Sequence, residues 1–262
     1  MVNVVRERSR QAYRAGGFVA LTAGMLPVFL SHMRRIRDLP LAEQDTVRDL
    51  WVRRWARALL SLFAIDVVTM GTVPPPTKHG ERGRLIVSNH RSAIDIGVLL
   101  ATFGGTMVSR DDLSRWPVVG AAARAVGTVF VDRKDAKSGA ATIRSIQKRL
   151  EDGATIILFP EGTTFDGDDV RPFHGGAFIA ANRAKADIVP VGLAYPKDSG
   201  AAFLNETFPE HLGRMAKSTA TRMVVATGTP IPTEGVRASE LSKRLHAAVQ
   251  SLVNDARARC GP

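Results

Sequence analysis

After Pro74-Pro75-Pro76 the chain alternates short runs rich in Val, Ile and Leu with Ala- and Arg-rich stretches of helical period. That alternation is the pattern of a sheet covered by helices. It predicts strands over residues 67–70, 85–88, 106–109, 128–131, 155–159, 188–193 and 223–227, and helices near 94–102, 118–126, 138–151, 176–185 and 238–259. The expected fold is α/β, a mixed and mostly parallel sheet of about seven strands flanked by helices.

The N-terminal quarter reads differently. Residues 15–33 carry no formal charge and as helix would reach about 28 Å, marginal for a membrane span. Gly16, Gly17, Gly24 and Pro27 weaken it further, so a re-entrant or surface-lying segment is at least as good a reading as a crossing. Residues 42–65 place Trp51, Trp55, Leu59, Leu60, Leu62 and Phe63 on one helix with Arg53, Arg54 and Arg57, a combination suited to an interface-lying amphipathic helix. The division expected is a membrane-associated helical pair over residues 1–66 and an α/β domain over 67–262.

Charge strengthens the membrane reading. The chain of 262 residues has 36 Lys and Arg against 25 Asp and Glu, a net +11, which calls for an anionic partner. Seven arginines fall within residues 1–37 beside Glu7 alone. Cys260 is the only cysteine, which excludes an intrachain disulfide and a cysteine-ligated metal cluster, and its place near the chain end argues against thiol catalysis. The six histidines are scattered singly, so no metal is expected.

The residues able to do chemistry gather at the ends of predicted strands, where an open α/β sheet places its site. One strand delivers Asn89-His90 into a turn, and Asp95 lies on the next helix, spaced to accept the imidazole Nδ1 proton and leave Nε2 as a base. By itself that spacing also fits a turn histidine beside a helix-capping aspartate. Phe159-Pro160-Glu161-Gly162-Thr163-Thr164 makes a sharp turn that would expose backbone N–H groups, Glu161 and two hydroxyls after another strand. Arg133 ends the run from Gly127, and Pro172 to Phe178 leads through a tight turn into a helix N-terminus.

In this order the blocks resemble the glycerolipid acyltransferase family that includes the 1-acyl-glycerol-3-phosphate acyltransferases. The resemblance rests on Asn89 to Asp95, Gly127 to Arg133, Phe159 to Thr163, Gly176 to Phe178 and Ile188-Val189-Pro190-Val191-Gly192-Leu193, and covers roughly residues 66–232. It implies transfer of a fatty acyl group from an acyl carrier protein or CoA thioester to the free hydroxyl of a lysolipid, with 1-acyl-glycerol-3-phosphate as the first acceptor. His90 would then be the general base and Asp95 its orienting partner. Arg110, Arg133, Glu161, Gly162, Thr163 and Thr164 would bind substrate. It implies no cofactor beyond the thioester co-substrate, and a seat on the cytoplasmic face of the inner membrane, monotopic or peripheral. Absence of a Gly-x-Ser-x-Gly elbow agrees with direct transfer.

Two positions depart from the family pattern. Thr164 stands where Arg is usual, and Arg110 where Lys is common, so one cationic contact to a phosphate headgroup is missing unless Arg171 or His174 supplies it. The Glu-Gly-Thr-Thr block is similar to that of lyso-ornithine lipid acyltransferases, the alternative acceptor class. A nucleic-acid binder is argued by charge alone and lacks a motif, with aromatics at 6%. A noncatalytic lipid-binding protein is disfavoured by the intact His90, Asp95, Glu161 and Gly162.

Overall fold

The computed structural model describes residues 2–77, 80–132, 136–204 and 206–260. Two long helices, α1 (Val2–Arg35) and α2 (Leu41–Leu62), precede β1 (Ile65–Met70). Next come β2 (Arg84–Ser88), α3 (Ile94–Phe103), β3 (Thr106–Arg110), α4 (Val119–Ala125), β4 (Val129–Val131) and α5 (Ala136–Glu151). The remaining elements are β5 (Thr155–Leu158), α6 (Gly176–Ala184), β6 (Asp187–Ala194), α7 (Phe208–Met215), β7 (Thr221–Thr227) and α8 (Ala238–Cys260).

The strands form one sheet in the order β1-β7-β6-β2-β5-β3-β4. From β6 to β4 all neighbours are parallel, whereas β7 is antiparallel to β6 and parallel to β1. The C-terminal ends of β2, β5 and β3 therefore lie side by side on one edge. The expected mixed, mostly parallel sheet of seven strands is the one present.

Period-two alternation sorts the apolar side chains onto two faces. Ile86 and Ile157 join α2 and α3 on one side, while Leu85, Val87 and Ile156 join α5, α6 and α8 on the other. Each such side chain, fully enclosed, contributes roughly 1.5–3 kcal/mol. On α8 the stripe Leu241, Leu245, Val249, Val253 and Ala256 recurs at helical spacing and is buried throughout. Its backbone comes so close to β6 that a Cβ at Gly192 would sit 2.3 Å from the Leu252 carbonyl carbon, which is why this strand carries glycine there.

The helical pair is built into the same core. Val52, Ala56, Leu60 and Phe63 pack in the cluster that includes Ile86, Val98 and Met223. Arg14, only 4% exposed, reaches from α1 to the carbonyls of Leu62, Ala216, Ser218 and Thr219 at 2.5–3.5 Å, covering the ends of α2 and α7. Contrary to the interruption its sequence suggests, α1 runs unbroken through Pro27. Contacts with α2 flank the proline: Trp55 Nε1 donates to Thr22 Oγ1 at 3.1 Å, Trp51 Nε1 donates to His32 Nδ1 at 3.1 Å, and Phe29 meets Trp51 edge-on. They offset the roughly 3 kcal/mol that an interior proline costs. Arg53 does not face outward with Arg54 and Arg57; its Nη1 and Nη2 hold the Thr102 and Phe103 carbonyls at the end of α3.

Candidate active site

The strand β2 ends at Ser88, and Asn89 anchors the next turn by exchanging two hydrogen bonds with the Leu193 backbone of β6, at 2.8 and 3.0 Å. The chain then turns through His90 to Ala93 into α3, whose first turn carries Asp95. His90 Nδ1 lies 2.9 Å from Asp95 Oδ2, and the same oxygen accepts the backbone N–H groups of Arg91 and Ser92 at 2.6 and 2.8 Å. Asp95 is fully buried. Three donors on one oxygen fix the carboxylate, and the carboxylate fixes the imidazole with its proton on Nδ1.

The His90 ring stacks on Phe159 at the end of β5, centroids 3.9 Å apart and planes within 8°. Its side chain is 16% exposed and forms part of the wall of a cavity of about 860 Å³. That cavity is apolar along most of its length. Phe18, Met25 and Phe29 of α1, Trp55 and Leu59 of α2, and Leu100 of α3 line it, and Arg110, Gly162, Thr163 and Thr164 share its wall with His90. The helical pair thus supplies one wall of the space that reaches His90.

Glu161 is placed differently from its neighbours. Its side chain is fully enclosed, with Oε1 accepting the His90 N–H at 2.9 Å and pairing with Arg91 Nη1 at 2.8 Å, and Oε2 accepting the Arg171 N–H at 2.7 Å. Arg91 also donates to the Gly167 and Asp169 carbonyls, tying the turns after β2 and β5 to one buried ion pair. Gly162 has φ of 83°, the left-handed turn that glycine supplies without strain. Arg110 lines the cavity but its Nε donates to Asp112 at 2.9 Å, and each charge stabilises the other: the Asp112 hydrogen bond raises the guanidinium's pKa and lowers that of the carboxyl. Arg133 lies outside the described residues. Neither Arg171 nor His174 is on the cavity wall, and the Arg171 guanidinium sits 5.0 Å over the Phe165 ring.

The backbone donors of the His90 turn, and that of Gly162, are already committed. Besides the N–H groups of His90, Arg91 and Ser92, those of Ala93 and Gly162 donate to His211 Nε2 and to the Phe159 carbonyl, at 3.3 and 3.1 Å. No motif or spacing singles out Tyr195, which comes directly after β6. Its buried hydroxyl and Asp95 Oδ1 are both without a hydrogen-bond partner among the described residues. Burial first, and the Asp95 charge second, push the Tyr195 pKa up, so the hydroxyl keeps its proton.

Residues 64–194 match the sequence profile of the family described as Acyltransferase. A lyso-ornithine lipid O-acyltransferase of Pseudomonas aeruginosa is 30% identical over 243 residues, covering 89% of this chain and 88% of that protein.

The chain belongs to the acyltransferase family. A lyso-ornithine lipid O-acyltransferase of Rhodobacter capsulatus is 37% identical to this acyltransferase over 74% of the chain and 68% of its own length. A 1-acyl-sn-glycerol-3-phosphate acyltransferase of Neisseria gonorrhoeae is 29% identical over 53% of the chain and 54% of its own length. The crystal structure of the 1-acyl-sn-glycerophosphate acyltransferase PlsC from Thermotoga maritima superposes with a TM-score of 0.78 at 19% identity, over 99% of this acyltransferase and all of that chain, a likeness of fold.

Proposed function

We propose that this acyltransferase moves a fatty acyl group from a thioester, of acyl carrier protein or CoA, to the free hydroxyl of a lysolipid. The observation that carries the reading is His90, held by Asp95 and stacked on Phe159 in the wall of a largely apolar cavity of about 860 Å³. His90 Nε2 takes the hydroxyl proton as the oxygen attacks the thioester carbonyl. As the C–S bond breaks, the leaving thiolate takes that proton back from the imidazolium. The Asp95 carboxylate stabilises the imidazolium in between. The N–H groups of Thr163 and Thr164, in the turn on the cavity wall, are the donors proposed for the developing oxyanion. No acyl-enzyme is required.

The acceptor proposed first is 1-acyl-glycerol-3-phosphate, with the headgroup near Arg110 and Thr164. A second reading, lyso-ornithine lipid, is favoured by relatives of that name that match most of the chain, and by Thr164, which leaves this end of the cavity one cation short. Purified full-length protein supplied with a labelled acyl thioester and each lysolipid in turn distinguishes the two readings. Thr164→Arg adds a charge-assisted contact worth about 1.5–3 kcal/mol, so it is expected to lower KM for the phosphate-bearing acceptor by roughly 10- to 100-fold relative to the other. Equal effects on both acceptors would remove position 164 from headgroup selection.

The proposed seat is the cytoplasmic face of the inner membrane. Helix α1 has a stretch, Val5–Arg35, long and apolar enough to cross a membrane, of which only 11% is buried over its most apolar window. Among the described residues, eight of the ten large exposed apolar side chains, from Val5 to Leu50, lie on the helical pair or its connection. Such a seat brings lipid to the cavity wall that α1 and α2 form. Arg54 and Arg57 are exposed on α2 and would face anionic headgroups. Each such arginine is worth about 1 kcal/mol at the surface, so reversing both to Glu is expected to cut partition onto anionic vesicles by roughly tenfold or more, with the difference shrinking as salt rises. Unchanged binding at low salt would contradict this placement.

A further inference from the structure

A second set of buried titratable groups lies beneath the catalytic turn. His211, on α7, is fully buried, and its Nε2 is 3.1 Å from Ser92 Oγ and 3.3 Å from the Ala93 backbone nitrogen. A backbone N–H can only donate, so Nε2 must be the unprotonated acceptor and the ring proton sits on Nδ1. There it meets Glu206 Oε1 at 2.9 Å, and Glu206 is itself held by Arg214, whose Nε donates to Oε2 at 3.1 Å. That hydrogen bond, with the one from His211, lowers the Glu206 pKa to about 2, so the anchor stays charged. Burial lowers the His211 pKa against the opposing pull of Glu206, consistent with a neutral ring.

The groups Ser92, His211 and Glu206 stand in the order of a nucleophile, base and acid, but Ser92 is fully buried and substrate cannot reach it. What the arrangement does reach is the catalytic turn. Ser92 Oγ also accepts the Ile94 N–H at 3.3 Å, so His211 and Ser92 together satisfy two of the donors at the start of α3. The Ser92 N–H in turn donates to the Asp95 oxygen that orients His90.

We propose that His211 is a positioning residue for acyl transfer: its neutral imidazole, anchored on Glu206, holds the Ser92–Ala93 turn and thereby Asp95 and His90 in register. This rests on His90 being the base. It assigns a role in the reaction to α7, an element outside every block that carries the family resemblance. Ser92 and His211 do not line the cavity, and of the turn they hold only His90, Ala93 and Ile94 belong to its long apolar wall, so losing the acceptor shifts the base more than the substrate's contacts and the larger effect falls on kcat.

The test compares wild type, His90→Ala, His211→Phe, His211→Gln and Ser92→Ala, with kcat and KM for both substrates and thermal unfolding of each purified full-length protein. His211→Phe keeps a ring but no acceptor, and is expected to lower kcat about 10- to 100-fold with both KM values within about threefold of wild type. His211→Gln offers a carbonyl oxygen near the Nε2 position and is expected to recover kcat to within about threefold. Ser92→Ala, a small change at a buried site, is expected to lower kcat in the same sense, and decides the matter if His211→Phe does not fold. Wild-type kcat in folded His211→Phe or in Ser92→Ala overturns the proposal, as does equal loss in His211→Phe and His211→Gln. Activity retained in His90→Ala would instead overturn the assignment of the base.

Discussion

Replacing His90 with alanine is expected to remove nearly all acyl transfer while leaving a folded protein. A lysolipid hydroxyl is a poor nucleophile until its proton is taken, and positioned general bases contribute 10²- to 10⁴-fold, so turnover should fall by about that factor or more. The ring's packing on Phe159 is worth only about 0.5–1.5 kcal/mol beyond its buried area, too little to unfold the domain. Asp95→Asn should keep the fold and lower turnover in the same direction, because the amide no longer stabilises an imidazolium. Steady-state transfer from a labelled thioester reads the effect. Retention of more than about a tenth of wild-type turnover by His90→Ala would sink the assignment.

Glu161→Ala is expected to cost stability as well as rate. The carboxylate accepts the backbone N–H groups of His90 and Arg171 and pairs with Arg91, whose side chain is 4% exposed. Removing one partner of a buried pair leaves the other charge uncompensated, at about 3–5 kcal/mol. For a chain of this size that corresponds to a fall in Tm of roughly 6–20 °C. Activity should drop with it even below the new Tm, because the His90 backbone loses the carboxylate that fixes it to the turn after β5. An unchanged Tm would mean that the Arg91 hydrogen bonds to the Gly167 and Asp169 carbonyls suffice to hold the loop.

These residues also show where sequence reading succeeds and where it stops. His90 and Asp95 were legible because the strand, the turn and the first helical turn are local, and local spacing determines which side chains can meet. All seven strands were legible for the same reason, as β-branched runs bounded by breakers. Glu161 was found as a motif member, but its inward aim depends on Arg91 lying 70 residues earlier, a pairing that only the β2–β5 adjacency creates. Reversal of β7 against β6 is likewise a property of the connection between them, not of either strand's pattern. Helix α7 does carry local signals: Thr207 and Glu210 form a capping box with Pro209 in the first turn, and Phe208, Leu212 and Met215 recur at helical spacing, but the run is only eight residues long and stands out poorly from a loop. No spacing or motif links His211 to the His90 block, because its contacts with Ser92 and Ala93 span almost 120 residues. Arg53 shows the opposite error, since an arginine at amphipathic spacing looks solvated until the end of α3 is seen beneath it.

Direct acyl transfer at His90 is tested most directly by a double-label experiment on the purified wild-type protein in vesicles, with one label in the acyl group of a thioester and the other in a lysolipid. Both labels are expected to appear together in a diacyl lipid, with one free thiol released per lipid formed and no acyl label left on quenched protein. Hydrolysis without lipid product, or acyl label that accumulates on the protein before lipid forms, would contradict direct transfer.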